Sequence, residues 1–263
     1  MAEETKIAWT HHTFNPWMGC QKVSEGCRNC YAEQLVTGRM GRNLWGPEES
    51  DQNNGRQKTK SPWKKVKRWQ KKAADNNEIR LVFTGSLCDI FEDAEIPNNY
   101  RPQVWDVIRS SPNLHFQLLT KRPQNIAGML PDDWGDGYDN VWLGCTIERN
   151  DVAHRHYQLV RNPAKVHYVS YEPAIGPLDQ MPLDDIEWVI YGGESGSDYR
   201  DHNIEWPRNM RERCEKTGTA FFYKQSPAYK TEQGIKLDGE IVRNMPDYYK
   251  EQKRQKQPLY ANG

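Results

Sequence analysis

The 263-residue chain has no apolar run approaching the roughly 20 residues that cross a bilayer. Its mean hydropathy is −0.97. The opening residues, Met1 to Lys6, lack the basic-then-apolar order of an export signal. These absences set the expectation of a soluble, cytoplasmic protein with no membrane partner. A charge excess is also missing. The 36 Lys and Arg balance 36 Asp and Glu, so the average offers no support for nucleic-acid binding. There is no low-complexity tract. Cysteine is scarce, six in all. In a reducing compartment such thiols stay free, and clustered ones are more often ligands than disulfides.

What is present is concentrated. Cys20, Cys27 and Cys30 share the stretch Trp17–Tyr31 with the spacing Cys-x6-Cys-x2-Cys. Three thiolates with no fourth cysteine nearby in sequence suggest a metal centre with one coordination position open. Cys88, Cys145 and Cys214 are scattered and read as small buried hydrophobes. Two metals fit the spacing. Zinc could take His11 or His12 as fourth ligand, and the Cys27-x2-Cys30 pair is typical of zinc knuckles. Alternatively, three cysteines could hold three irons of a [4Fe–4S] cluster and leave the fourth iron for an exogenous ligand, which permits radical chemistry with S-adenosylmethionine. Spacing alone weighs the two equally.

From Glu78 onward short β-rich runs recur about every 25 to 35 residues, the length of a βαβ unit. They are Ile79–Thr84, Leu114–Thr120, Val141–Ile147, Val166–Ser170, Trp188–Tyr191 and Thr219–Tyr223, with Lys6–Trp9 as a possible first strand. The order predicts an α/β fold, a partial (β/α) barrel of about six or seven parallel strands in a single domain over 1–263, with a doubly wound sheet as the alternative. Within it we expect a cluster loop at 16–31, a basic insertion and helix at 38–77 and a frayed tail at about 247–263. Active sites in such folds lie at the carboxyl ends of strands, and every expected strand exit is polar. Alternation puts Gly144, Thr146 and Glu148 on one inward face, and likewise Ser170 with Glu172, Gln117 with Lys121, and Thr84 with Ser86. That implies a hollow, wet interior. By the same alternation Cys145 points outward. A structural zinc needs neither barrel nor polar exits, so this context favours iron–sulfur.

Between Arg56 and Lys72 there are nine Lys or Arg and no acid. Ser61 is placed to cap a helix there and Pro62 suits its first turn. The stretch reads either as the solvated face of an outer helix or as a surface that contacts phosphates. Residues 38–56 read as a long excursion, a substrate lid or a mobile loop. The ten Trp are compatible with stacking on bases.

The residues now carry a resemblance. Ile7–Thr10, Thr13–Cys20, Cys27–Ala32, Phe83–Phe91, Leu119–Pro123, Trp142–Glu148, Glu172–Pro177 and Trp188–Gly196 together resemble the phage and prophage three-Cys-motif family, which is radical-SAM-like. The match runs from residue 7 to about 225. It departs from the usual Cys-x3-Cys-x2-Cys in its first gap, and Tyr31 follows the last cysteine rather than preceding it. The resemblance implies a radical-SAM-type partial barrel in which Cys20, Cys27 and Cys30 bind a [4Fe–4S] cluster whose fourth iron takes S-adenosylmethionine, yielding a 5′-deoxyadenosyl radical. Strand position then suggests cofactor contacts at Tyr31, at Ser86 and Asp89 for the methionine part, at Lys121 for its carboxylate and at Glu148 for the ribose. Glu172, Gly192, Gly193 and Glu194 would face cofactor or substrate. The expected substrate is a hypermodified thymine in phage DNA, with an N-linked glycyl group isomerised to a C-linked one, inside a bacterial cytoplasm and served by a flavodoxin-like or ferredoxin-like electron donor. The alternatives are radical modification of RNA, a peptide or a small molecule, and a zinc-stabilised nucleic-acid-binding protein without catalysis.

Overall fold

A computed structural model describes residues 4–47 and 55–256. The middle of the expected 38–56 excursion and the last part of the expected tail lie outside the described residues. Seven parallel strands form one curled sheet, a half-barrel. They are β1 (His12–Phe14), β4 (Arg80–Thr84), β5 (Leu114–Thr120), β6 (Val141–Thr146), β7 (His167–Tyr171), β8 (Trp188–Gly192) and β9 (Ala220–Gln225), in that spatial order. A separate antiparallel pair joins β2 (Trp17–Met18) to β3 (Gln57–Lys58). The main helices are α1 (Tyr31–Glu33, continued by a wider turn to Arg39), α2 (Pro62–Asp75), α3 (Glu95–Arg109), α4 (Arg155–Val160), α5 (Glu205–Thr217) and α6 (Asp247–Lys256).

Strand periodicity sorts the core into two layers. Outward residues such as Val82, Phe116, Leu143, Cys145, Val169 and Val189 pack with the helices, among them Trp69 and Val104. Inward residues Leu81, Phe83, Trp142, Tyr168, Trp188 and Phe222 fill the lower barrel with Trp9. The rings meet at short range, Trp9 with Phe83 at 4.6 Å and Trp142 with Trp188 at 5.8 Å. Gly144 is the gap that admits the Tyr168 ring, since a Cβ there would sit 2.2 Å from that ring. The interior is therefore packed below and open only above, not hollow throughout. Most of the ten Trp are spent on these two layers; only Trp9 and Trp45 line the open part.

Four expectations need correction. The segment Lys6–Trp9 is not the first strand. Thr10 N–H bonds Ile7 O and Thr5 N–H bonds His11 O, which fold it into a turn and drop Trp9 into the barrel. The sheet starts instead at His12, paired with Val82. In β4 the inward residue is Phe83, so Thr84 faces outward, and Ser86 regains the interior because the chain turns at Gly85 with φ +93°. Ser61 does not cap α2. Its φ of +48° is left-handed and its side chain makes no capping bond, so Pro62 alone marks the start. Finally, 247–256 is not frayed. It forms α6, whose buried Tyr249 packs edge-on against Trp142 under the barrel.

His115 sits at this lower end, 2% exposed, between Trp142 and Tyr248. Burial pushes its pKa down from 6.5 to about 4, with Asp139 opposing and Lys256 adding to the shift. Between those values the unfolded chain binds the proton and the folded one does not. Stability therefore falls as pH drops through this window, by about 3 kcal/mol in total. Urea unfolding at pH 7 and pH 4.5 should show His115→Phe losing less stability on acidification than the wild type. Equal losses would remove His115 as a source of acid sensitivity.

Candidate functional site

A cavity of about 280 Å³ opens at the carboxyl ends of the strands. One wall is the cysteine loop. Cys20 follows β2, where its N–H bonds Leu44 O and its C=O accepts from Gly46. Cys27 closes a short 3-10 turn, Glu25–Cys27, and Cys30 begins α1. All three line the cavity. So does Cys88, which the sequence placed far away: Gly19 and Cys88 form a bridge beside β4, so a fourth thiol stands next to Cys20. Among the described residues, no three His, Cys, Asp or Glu side chains are drawn together tightly enough to hold a metal as they stand. In donor type the wall fits a thiophilic centre. No histidine lines the cavity. His11 Nδ1 accepts the Leu81 N–H at 2.8 Å, and His12 stacks on Trp69 at 4.4 Å, because both lie on β1 or just before it, away from its carboxyl end. They cannot complete a zinc site with these cysteines.

The strand exits supply the other walls. Ser86 Oγ accepts from Asn15 Nδ2 at 2.8 Å, and its C=O accepts the Tyr31 hydroxyl at 2.7 Å, which lays the half-exposed Tyr31 ring along the rim. Asp89 is 5% exposed and fully bonded, to Thr120 Oγ1, the Phe91 and Lys121 N–H groups and Arg122. Lys121 faces the cavity with Glu148 Oε1 at 3.9 Å from its ammonium. Burial works against its charge, but Glu148, Cys27 and Cys30 outweigh it and hold its pKa above the usual lysine range. On the far wall Glu172 and Lys224 form an ion pair.

Glu148 is misplaced by the sequence reading. It does not line the cavity. It is buried beneath the cysteine loop, where Ser24 Oγ donates to it at 2.6 Å and Arg155 at 2.9 Å. Gly26 lies so close that a Cβ would come within 2.3 Å of the carboxylate. Glu148 therefore seats the loop, with both carboxylate oxygens engaged by the chain itself. Glu194 reaches the cavity, but Arg200 and Asn29 take up its carboxylate, and Arg200 also grips Glu25. Those bonds outweigh burial and lower its pKa. Together they latch the cysteine loop to the β8 exit. Gly193 lines the cavity, and a Cβ there would strike the Pro227 backbone nitrogen at 2.1 Å. Gly192 does not line it. It makes room for the Glu172 carboxylate, 2.7 Å from where its Cβ would be.

The family described as "protein of unknown function (DUF5131)" covers residues 4–256. The chain belongs to the DUF5131 family. No curated protein and no solved structure matches it.

In this DUF5131 protein a buried ion network stands beside the cysteines that spacing along the chain does not reveal. Arg122 Nη1 approaches Cys20 Sγ at 3.6 Å and Asp89 at 3.0 Å, while its Nη2 bonds Gln21 O and Glu92. Glu92 in turn takes Arg56 through two bonds of 2.7 Å, with side chains 4% and 1% exposed. Two cations and two carboxylates thus form a neutral buried network at the root of Cys20. Burial, with Glu92 and Asp89 adding and Arg122 opposing, pushes the Cys20 thiol up to about 12. Burial also raises Cys30. A bound cation would displace those protons. Arg122 stood in view at the β5 exit. Arg56 was hidden in the basic run, and nothing in sequence ties Glu92 to either.

Proposed function

We propose that this protein is a radical S-adenosylmethionine enzyme. The observation that carries the reading is convergence: Cys20, Cys27 and Cys30 line the same cavity as the polar exits of β4 to β9, at the carboxyl end of a parallel half-barrel. Held by the three thiolates, a [4Fe–4S] cluster would supply the electron that cleaves the sulfonium to a 5′-deoxyadenosyl radical. The chain does the rest. Lys121, kept charged by Glu148, stands ready for the methionine carboxylate. Ser86 and Asp89 border the same wall, and the Tyr31 ring shields it from solvent. Trp9, Phe83 and Leu119 give a dry floor that protects reactive species from water. The Glu172–Lys224 pair on the opposite wall presents an anion and a cation to the substrate. For that substrate we propose a hypermodified thymine in phage DNA, isomerised from an N-linked to a C-linked glycyl group, with a flavodoxin-like or ferredoxin-like protein as reductant.

A second reading rests on Cys88. Four thiols around one cavity would supply the donor set of a closed zinc site in a nucleic-acid-binding protein without catalysis. Anaerobic purification separates the two. Brown protein with iron and sulfide that forms 5′-deoxyadenosine from S-adenosylmethionine supports the enzyme; colourless protein with about one zinc per chain overturns it. Incubation with modified DNA and base analysis then tests the substrate. Cofactor cleavage with every nucleoside unchanged would reject thymine.

A further inference from the structure

The basic run resolves into a single face. From Lys58 to Lys72 there are eight cations and no acid, so in a neutral chain the remainder carries a net −8. Helix α2 buries Pro62, Val66, Trp69 and Ala73 against the barrel and leaves Lys64, Lys67, Lys71 and Lys72 exposed, continuing Lys58 and Lys60 just before it. Lys64, Lys67 and Lys71 follow the i, i+3, i+7 order of one helix face. Within α2 an acid occurs only at its last residue, Asp75, which pairs with Lys71. The helix is about 21 Å long, the rise of about six base pairs of duplex.

The face leads to the cavity. β3 pairs with Trp17 and Met18, one residue short of the Gly19–Cys20 step into the cysteine loop, and the Lys58 ammonium lies over the Tyr100 ring at 4.5 Å. From there α2 descends along β1, with Trp63 against Phe14 and Trp69 against His12.

We propose that this face is a docking track for the phosphodiester backbone of a nucleic acid, laid so that the strand passes the cavity mouth. Its chemistry selects that partner over a protein. Protein interfaces are depleted in lysine and rich in aromatics, whereas here the exposed side of α2 carries four lysines with Arg68 and no exposed aromatic. Flexible ammonium groups suit evenly spaced phosphates and carry no base code. The assignment does not depend on which metal the thiols hold. Its failure is therefore read on oligonucleotides, while failure of the enzymatic reading is read on metal content.

The test uses the full chain, a labelled 20-base-pair duplex of scrambled sequence, its single strand and the corresponding RNA, with fluorescence anisotropy over a series of salt concentrations. We expect at least one of the three to bind without sequence preference and to weaken as salt rises. The triple variant Lys60→Gln, Lys64→Gln, Lys67→Gln should bind on the order of 10- to 100-fold more weakly at low salt, with the duplex salt slope reduced by about 2.7 and the single-strand slope by about 2. Circular dichroism and the thermal midpoint should stay at wild-type values, since all three side chains are exposed. No binding by the wild type at low salt overturns the proposal. So does a triple variant with unchanged affinity and slope. Loss of binding to an acidic electron-transfer protein, with oligonucleotide binding intact, overturns it in favour of a protein partner.

Discussion

Serine at Cys20, at Cys27 or at Cys30 should abolish iron and sulfide incorporation and, with it, formation of 5′-deoxyadenosine. The wild type should carry about four irons per chain after anaerobic reconstitution, and each variant less than about one. An alcohol is a hard, weakly acidic donor and does not replace a thiolate on iron. Cys145 lies in the outer layer among the helices, and Cys214 is buried on α5. Serine at either should leave the metal content unchanged. Cys88→Ser is the deciding variant, because Cys88 lines the cavity beside Cys20. Retained iron and activity fit a site of three thiolates with one open position. Loss of metal equal to that in Cys20→Ser would assign four protein thiolates and leave no open position for S-adenosylmethionine.

The second large effect concerns stability. Glu92→Ala should cost about 3–5 kcal/mol, because it strands Arg56 and Arg122 as buried charges with one partner each removed. That is a large fraction of the 5–15 kcal/mol that typical domains possess. It would also free the Gln21 N–H that bonds Glu92, loosening the chain next to Cys20. Urea unfolding followed by circular dichroism measures the loss. The double variant Arg56→Met, Glu92→Leu should recover part of it, since removing both members of a buried pair avoids an uncompensated charge. A single-variant loss below about 1 kcal/mol would show that the network is solvated or rearranges, contrary to its burial.

How far the site was legible follows from what periodicity encodes. Alternation placed Lys121, Ser170, Glu172 and Thr146 on inward faces, and Cys145 on the outward one, because a strand's side chains alternate whatever it pairs with. It failed at Thr84, where the phase was set one residue off; at Glu148, just beyond the end of β6 at Thr146, it could not show that the cysteine loop covers the carboxylate. Lys6–Trp9 looked extended, yet a tight turn won, because two backbone bonds and the burial of Trp9 outweigh a short run's strand preference. The basic run was legible as charge. Its division into a buried Arg56 and an exposed lysine face was not, since that needs the partner Glu92, 36 residues away.

By itself, then, the sequence determined the α/β alternation, the polar strand exits and the placing of three cysteines on one short loop. These are local matters, fixed by side-chain periodicity and by spacing along a single segment. The tertiary structure decided which of those residues meet. Parallel register across seven strands brought exits far apart in sequence to one mouth, the β2–β3 pair moored the basic helix beside Cys20, and the bridge from Gly19 to Cys88 added a fourth thiol. Such contacts depend on how twisted strands close and on which buried charges can neutralise each other, and neither is written in the spacing of any one segment.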